Sequence, residues 1–165
     1  MNYLDIFRKK IVTLTELQKM MAVWRFKDKK VVFTNGCFDL IHAGHVHLLT
    51  AAGGFGDVLI VGLNSDTTVH KLKPGRPLQD EQSRALIMAA FEFTDAVILF
   101  EEETPYELIK ALRPDVLVKG GDYKPEEVVG RDILEESGGK VELVPLKEGF
   151  STSAIVDRIR AGNNR

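Results

Sequence analysis

The chain has 165 residues, 44% of them hydrophobic and 28% charged, with a formal net charge of -2. That is enough to bury a core without disulfide or metal staples, and the near-neutral balance excludes a general attraction to nucleic acid or anionic membrane, so any contact with a polyanion has to be local. The single cysteine, Cys37, excludes an intramolecular disulfide and a cysteine-rich zinc site. Residues 1–10 lack an apolar signal core, and no later run approaches the ~18 apolar residues of a membrane span, so the cytoplasm is the expected location. The expected organisation is one domain over 1–165, with a helical extension at 1–29 and a core at 30–160.

Thr13-Leu14-Thr15-Glu16 has capping-box spacing ahead of Leu17, Met20, Met21 and Trp24 and predicts a helix over 13–26. The β-branched run 31–34, ending in Asn35-Gly36, predicts the first strand. A helix over 44–53 follows, then 57–63, apolar almost throughout, as suits a strand covered on both faces. The alternation continues with a helix over 80–92, a strand at 96–100, a helix opened by Thr104-Pro105 and a strand at 116–118. A helix over 126–136 stops at Gly138-Gly139, 141–144 gives a fifth strand, and Ser151-Thr152-Ser153 starts a last helix reaching Arg160. This repetition predicts a Rossmann-like, doubly wound α/β fold: five parallel strands, helices on both faces, and a ligand crevice beyond the carboxyl ends of the strands.

Segments that follow strands converge on that crevice. After the first strand come Gly36, Phe38, Asp39, His42, Gly44 and His45; after the second, Asn64-Ser65-Asp66 and a basic loop with Lys71, Lys73 and Arg76. After the fourth come Lys119-Gly120-Gly121-Asp122-Tyr123, and after the fifth Ser151-Thr152-Ser153. A glycine turn lets backbone approach an anion, a helix start offers free N–H groups, and two imidazoles add donors, so the common chemistry is phosphate binding. Asp39 reads more readily as a cap for the next helix or a brace for the turn than as a catalytic group.

These residues resemble the nucleotidylyltransferase superfamily that carries an H-x-G-H motif, over residues 30–159. Within it they are similar to heptose 1-phosphate adenylyltransferases, the unit that forms the second half of bifunctional bacterial heptose kinase/adenylyltransferases. TNGCFDLIHAGHVHLL (34–49), LVKGGDYKPEEVVG (117–130) and GFSTSAIVDRI (149–159) carry the likeness, the second being the discriminating one. The resemblance implies attack by a sugar 1-phosphate oxygen on the α-phosphorus of ATP, giving ADP-heptose and pyrophosphate for lipopolysaccharide or surface-glycan precursors. It places His42, His45 and the first-motif backbone on the nucleotide phosphates, Ser151, Thr152 and Ser153 on the phosphate chain, and Lys71 or Lys73 as loop cations. Arg84 matches a family position that stabilises the loop or reaches phosphate. Asn64, Asp66, Lys119, Gly120, Gly121, Asp122 and Tyr123 are expected at the nucleotide or sugar. Pro74-Gly75 stands where relatives place a glycine directly, which leaves the choice between Lys71 and Lys73 open. Mg²⁺ is expected with ATP, held by phosphate oxygens and water and not by a protein cage. A separate heptose kinase is implied in the pathway, and dimers are common in the superfamily.

Other features read more plainly. His47 and His70 match no motif, Glu101-Glu102-Glu103 is a solvated helix entry, and Gly53-Gly54-Phe55-Gly56 lacks dinucleotide spacing and ends a helix. Two alternatives stand beside the heptose reading. A glycerol 3-phosphate or ethanolamine-phosphate cytidylyltransferase shares the crevice, but Glu92-Phe93-Thr94-Asp95-Ala96 lacks the arginine of the glycerol enzymes' R-Y-V-D-E. A nucleotide sensor without turnover is the alternative from another class.

Overall fold

Val31–Gly36 (β1) and Val58–Asn64 (β2) make the centre of the sheet because their side chains are apolar on both faces; every residue of β2 is buried. In the computed structural model, which describes residues 2–121, 124–145 and 149–162, Ala96–Phe100 (β3), Val116–Gly120 (β4) and Lys140–Val144 (β5) complete a parallel sheet of order β3-β2-β1-β4-β5. The chain builds outward from β1 to β2 and β3, then crosses back to lay β4 on the other side of β1. Strand order therefore reverses between β1 and β4, which opens a crevice at their carboxyl ends.

Side-chain alternation along the strands feeds two apolar layers. Phe33 and Leu117 enter one, with Leu17 and Met21 of Leu14–Phe26 (α2), Ile109 and Leu112 of Tyr106–Leu112 (α6), and Leu134 of Arg131–Ser137 (α7). Val32, Val116 and Val118 enter the other, with Leu49 and Ala52 of Ala43–Gly53 (α3) and Ala85 and Met88 of Glu81–Ala89 (α5). Full burial of such a side chain is favourable by about 1.5–3 kcal/mol, so a sheet covered on one face alone would forfeit half of its driving force. Thr152–Arg160 (α8) stands apart, with no buried residue.

The capping box predicted at the start of α2 is present: Glu16 N–H donates to the Thr13 hydroxyl at 3.3 Å, and Thr13 N–H to the Glu16 carboxylate at 2.8 Å. Three elements differ from the sequence reading. Tyr3–Arg8 (α1) has too few residues to show a period, yet the stretch after it is tied to the sheet edge, Val12 N–H donating to the Val97 carbonyl and Val97 N–H to that of Lys10. Asp66–Leu72 (α4) is a helix the sequence reading did not predict, and it takes in the first two residues of the expected basic loop, Lys71 and Leu72; Ser65 caps it and Thr68 and Val69 anchor it, residues whose low helix propensity conceals a seven-residue helix. The helix expected over 126–136 is split into a short 3-10 turn, Pro125–Glu127, and α7, because Gly130 takes φ +90° between them. No helix among the described residues is long and apolar enough to cross a membrane.

Candidate active site

The site grows from the carboxyl end of β1. Gly36 lets the chain turn with the Phe38 ring folded back on it, where a Cβ would stand 3.1 Å from the ring; Phe38 takes φ +44°. The chain then reaches His42, which caps α3: its Nδ1 accepts the Gly44 N–H at 3.1 Å. A neutral imidazole that accepts at Nδ1 carries its proton on Nε2, so His42 has a donor left to offer. His45, one turn on, stacks on His42 with ring centroids 3.8 Å apart and meets the edge of Phe38 at 5.4 Å. Gly44 is enforced by this packing, since a Cβ there would lie 3.0 Å from the His42 ring and 3.3 Å from Cβ of Phe150. The close approach of Gly44 and Phe150 brings the N-termini of α3 and α8 to one place, and Ser151 caps the second by accepting Ala154 N–H at 3.0 Å.

Burial lowers the pKa of His42, and it pushes His45 down to about 4, helped by the charges of His42 and Lys73 and opposed by the Leu40 carbonyl. Both rings are thereby biased toward the neutral form, in which each carries one N–H donor. On β4, Lys119 donates from Nζ to Asn35 Oδ1 at 2.6 Å, and burial lowers it to about 8, with Cys37 pulling the other way.

A cavity of about 790 Å³ collects Gly36, Phe38, His42, Gly44, His45, Asn64, Lys73, Lys119, Gly120, Ser151, Thr152 and Ser153. Other residues singled out from the sequence lie behind it. Asp39 accepts Leu78 N–H at 2.9 Å and Gln79 N–H at 3.0 Å and so pins the segment after α4. Arg84 is fully buried and spends its guanidinium on the carbonyls of Gln79, Cys37 and Asn64 and on the Asp66 carboxylate, joining the exits of β1 and β2 to that segment. Asp66 also accepts Glu81 N–H at 3.1 Å. Gly121 N–H donates to the Val144 carbonyl, tying β4 to β5. Lys71 is a correction: it sits in the last turn of α4 and not in an overhanging loop, and Lys73 is the lysine of the pair that lines the cavity. Asp122 and Tyr123 lie outside the described residues.

The cavity also draws on residues that the motif reading passed over. Asn35 belongs to the Asn-Gly pair that ends β1, and its place beside Lys119 follows from the parallel register of β1 on β4. Val156, Asp157 and Arg160 extend the cavity face of α8 beyond Ser153, at the three- to four-residue spacing of one helix stripe.

The cytidylyltransferase-like family model matches residues 33–158, which takes in most of β1, His42 and His45, and most of α8. The chain belongs to the cytidylyltransferase-like family. It is a nucleotidyltransferase domain. Its relatives include the bifunctional protein HldE of Trichlorobacter lovleyi, 56% identical over 151 residues (91% of this chain, 31% of that protein), and that of Koribacter versatilis, 51% identical over 154 residues (93% and 32%). The chain thus spans about a third of the length of these curated relatives. Among solved structures, a lipopolysaccharide core biosynthesis protein from Thermoplasma volcanium is similar with TM-score 0.59 and 28% identity, covering 72% of this chain and 97% of that one. A pantoate-beta-alanine ligase from Francisella tularensis shares the fold with TM-score 0.60 at 15% identity, covering 84% and 67%.

Proposed function

We propose that this chain transfers the adenylyl group of ATP to D-glycero-D-manno-heptose 1-phosphate, releasing pyrophosphate and ADP-heptose for surface-glycan precursors. The observation that carries the reading is the neutral, stacked His42–His45 pair in a cavity where two capped helix N-termini meet. Such a site offers several N–H donors and two favourable dipoles to a phosphate chain.

An oxygen of the sugar phosphate attacks the α-phosphorus; the new P–O bond forms as the bond to the β-bridging oxygen breaks, and pyrophosphate leaves with that electron pair. The nucleophile is already an anion, so no general base is required. The chain's contribution is to hold two repelling anions in line and to place donors where charge grows. His42 Nε2–H and the neutral His45 suit the α-phosphate and the leaving oxygens, and Lys73 supplies charge beside them. Mg²⁺ would enter on the nucleotide phosphates and neutralise their charge; among the described residues no group of three His, Cys, Asp or Glu stands together to hold an ion, while the cavity is rich in phosphate-binding donors.

Heptose is favoured by the 117–130 segment, Lys119 and Gly120 of which line the cavity, and by the similarity to a lipopolysaccharide core biosynthesis protein. The pathway requires a sugar kinase to make the 1-phosphate, either in the same polypeptide or in a separate one. The test is pyrophosphate release with ATP, CTP and GTP against both heptose 1-phosphate anomers and glycerol 3-phosphate. Release with ATP and one heptose anomer supports the proposal. Release with CTP and glycerol 3-phosphate would replace it with a cytidylyltransferase, and nucleotide binding without release from any pair would favour the sensor.

A further inference from the structure

With His42 and His45 biased toward the neutral form, positive charge on their side of the cavity comes from the segment after α4. Lys73 is close enough to act on His45, and Arg76 lines the same cavity. Arg76 leans on Asp39, Nη1 lying 3.2 Å from Oδ2, yet Nη1 is buried and makes no hydrogen bond of normal geometry among the described residues. Asp39 has little need of it. Its Oδ1 accepts the N–H groups of Leu78 and Gln79, and its Oδ2 lies 3.0 Å from Leu78 N as well. The Asp39 carboxylate is served by backbone without the contact, whereas the buried Nη1 of Arg76 is left without a hydrogen bond among the described residues. Gly75, just before it, takes φ +77° with nothing within 4 Å of where a Cβ would stand, so the backbone beside Arg76 is not packed in, and Arg76 itself lines the open cavity. Beyond it, Leu78 and Gln79 stay fixed on Asp39, so the head of Arg76 can swing while the segment keeps its anchor.

We propose that Arg76 is a further substrate-contacting residue: its guanidinium leaves Asp39 and forks onto the pyrophosphate end of the bound nucleotide, while Asp39 remains as the anchor of the segment. This rests on the nucleotidylyl-transfer reading and adds to it the cation for the leaving group. A planar fork matches two phosphate oxygens better than it matches a carboxylate already served by backbone. The contact strengthens as charge moves onto the leaving pyrophosphate, so it favours the transition state over the bound substrate.

Calorimetric titration of the native chain and Arg76→Gln with inorganic pyrophosphate, ATP and AMP tests this, with thermal melts to establish folding. The expected result is a loss of about 10- to 100-fold for pyrophosphate and ATP and little change for AMP, with partial recovery in Arg76→Lys. Unchanged pyrophosphate affinity, absence of pyrophosphate binding by the native chain, or equal weakening of AMP and ATP would overturn the proposal and leave Arg76 a brace. If Arg76→Gln does not fold, Arg76→Lys decides with the same probes, since losing the fork while keeping the charge is expected to weaken pyrophosphate and spare AMP. Pyrophosphate binding is read without turnover. A native chain that releases none from any substrate pair therefore sinks the transfer reading, while the comparison of native and variant still judges Arg76.

Discussion

Removing the His45 side chain tests whether the pair works through a donor or through packing. His45 stacks on His42 at 3.8 Å and meets Phe38 at 5.4 Å, so a substitution changes both ring contacts and N–H supply. His45→Ala removes both, His45→Phe keeps an aromatic surface without a donor, and His45→Gln keeps a donor without the ring. One well-placed donor to a developing anion contributes about 2.7–4 kcal/mol to the transition state, so His45→Ala and His45→Phe should lose about 100- to 1,000-fold in kcat, with His45→Gln recovering part. The assay is pyrophosphate release at saturating ATP, with folding checked by circular dichroism. Turnover of folded His45→Phe within about threefold of native would refute the donor role. A pH series supplies a second check. Because His45 is held down to about 4, native activity should show no His45 step as pH falls from 6.5 until it nears that value. The linkage has the matching sign: the unfolded chain binds a proton on this histidine near 6.5 and the folded chain only near 4, so native stability falls as pH drops through that window. Urea melts should therefore show native stability falling relative to that of His45→Phe as pH drops from 6.5 toward 4.

Three other perturbations follow from the same geometry. Arg84→Met leaves the Gln79, Cys37 and Asn64 carbonyls and the Asp66 carboxylate without their cation, and should cost about 3–5 kcal/mol in urea unfolding, whereas an exposed arginine would cost almost nothing. Gly44→Ala should lower kcat at least about tenfold while shifting Tm little, because the new methyl pushes on His42 and Phe150 at the cavity wall and not on the core; full activity would show that the His42 ring has slack. Lys119, lowered to about 8, should lose its charge as pH rises through that value, so ATP or sugar-phosphate affinity should weaken there in the native chain and stay flat in Lys119→Met.

How much was legible beforehand depended on whether the signal was local. The five strands and the main packing helices could be read because continuous apolar runs and caps such as Thr13 and Ser151 are written within a few residues. The short helix α4 was not, since Thr67, Thr68 and Val69 give no helical preference and its stability comes from burying Thr68 and Val69. The same distinction runs through the site. The turn after β1 and the start of α8 announce themselves by residue type and spacing. The placement of Asp39, Asp66 and Arg84 behind the cavity is decided by partners 15 to 47 residues away, which no local pattern records. The choice of Lys73 over Lys71 as a cavity residue likewise follows from where α4 ends, its C-cap Lys73 taking an extended conformation that sends the chain across the crevice.

The most direct measurement is ³¹P NMR of the chain incubated with ATP, Mg²⁺ and heptose 1-phosphate. Adenylyl transfer predicts equal growth of pyrophosphate and of a sugar diphosphate diester with two coupled phosphorus resonances. Formation of ADP with inorganic phosphate, or of AMP and pyrophosphate without the diester, would contradict transfer to the sugar phosphate.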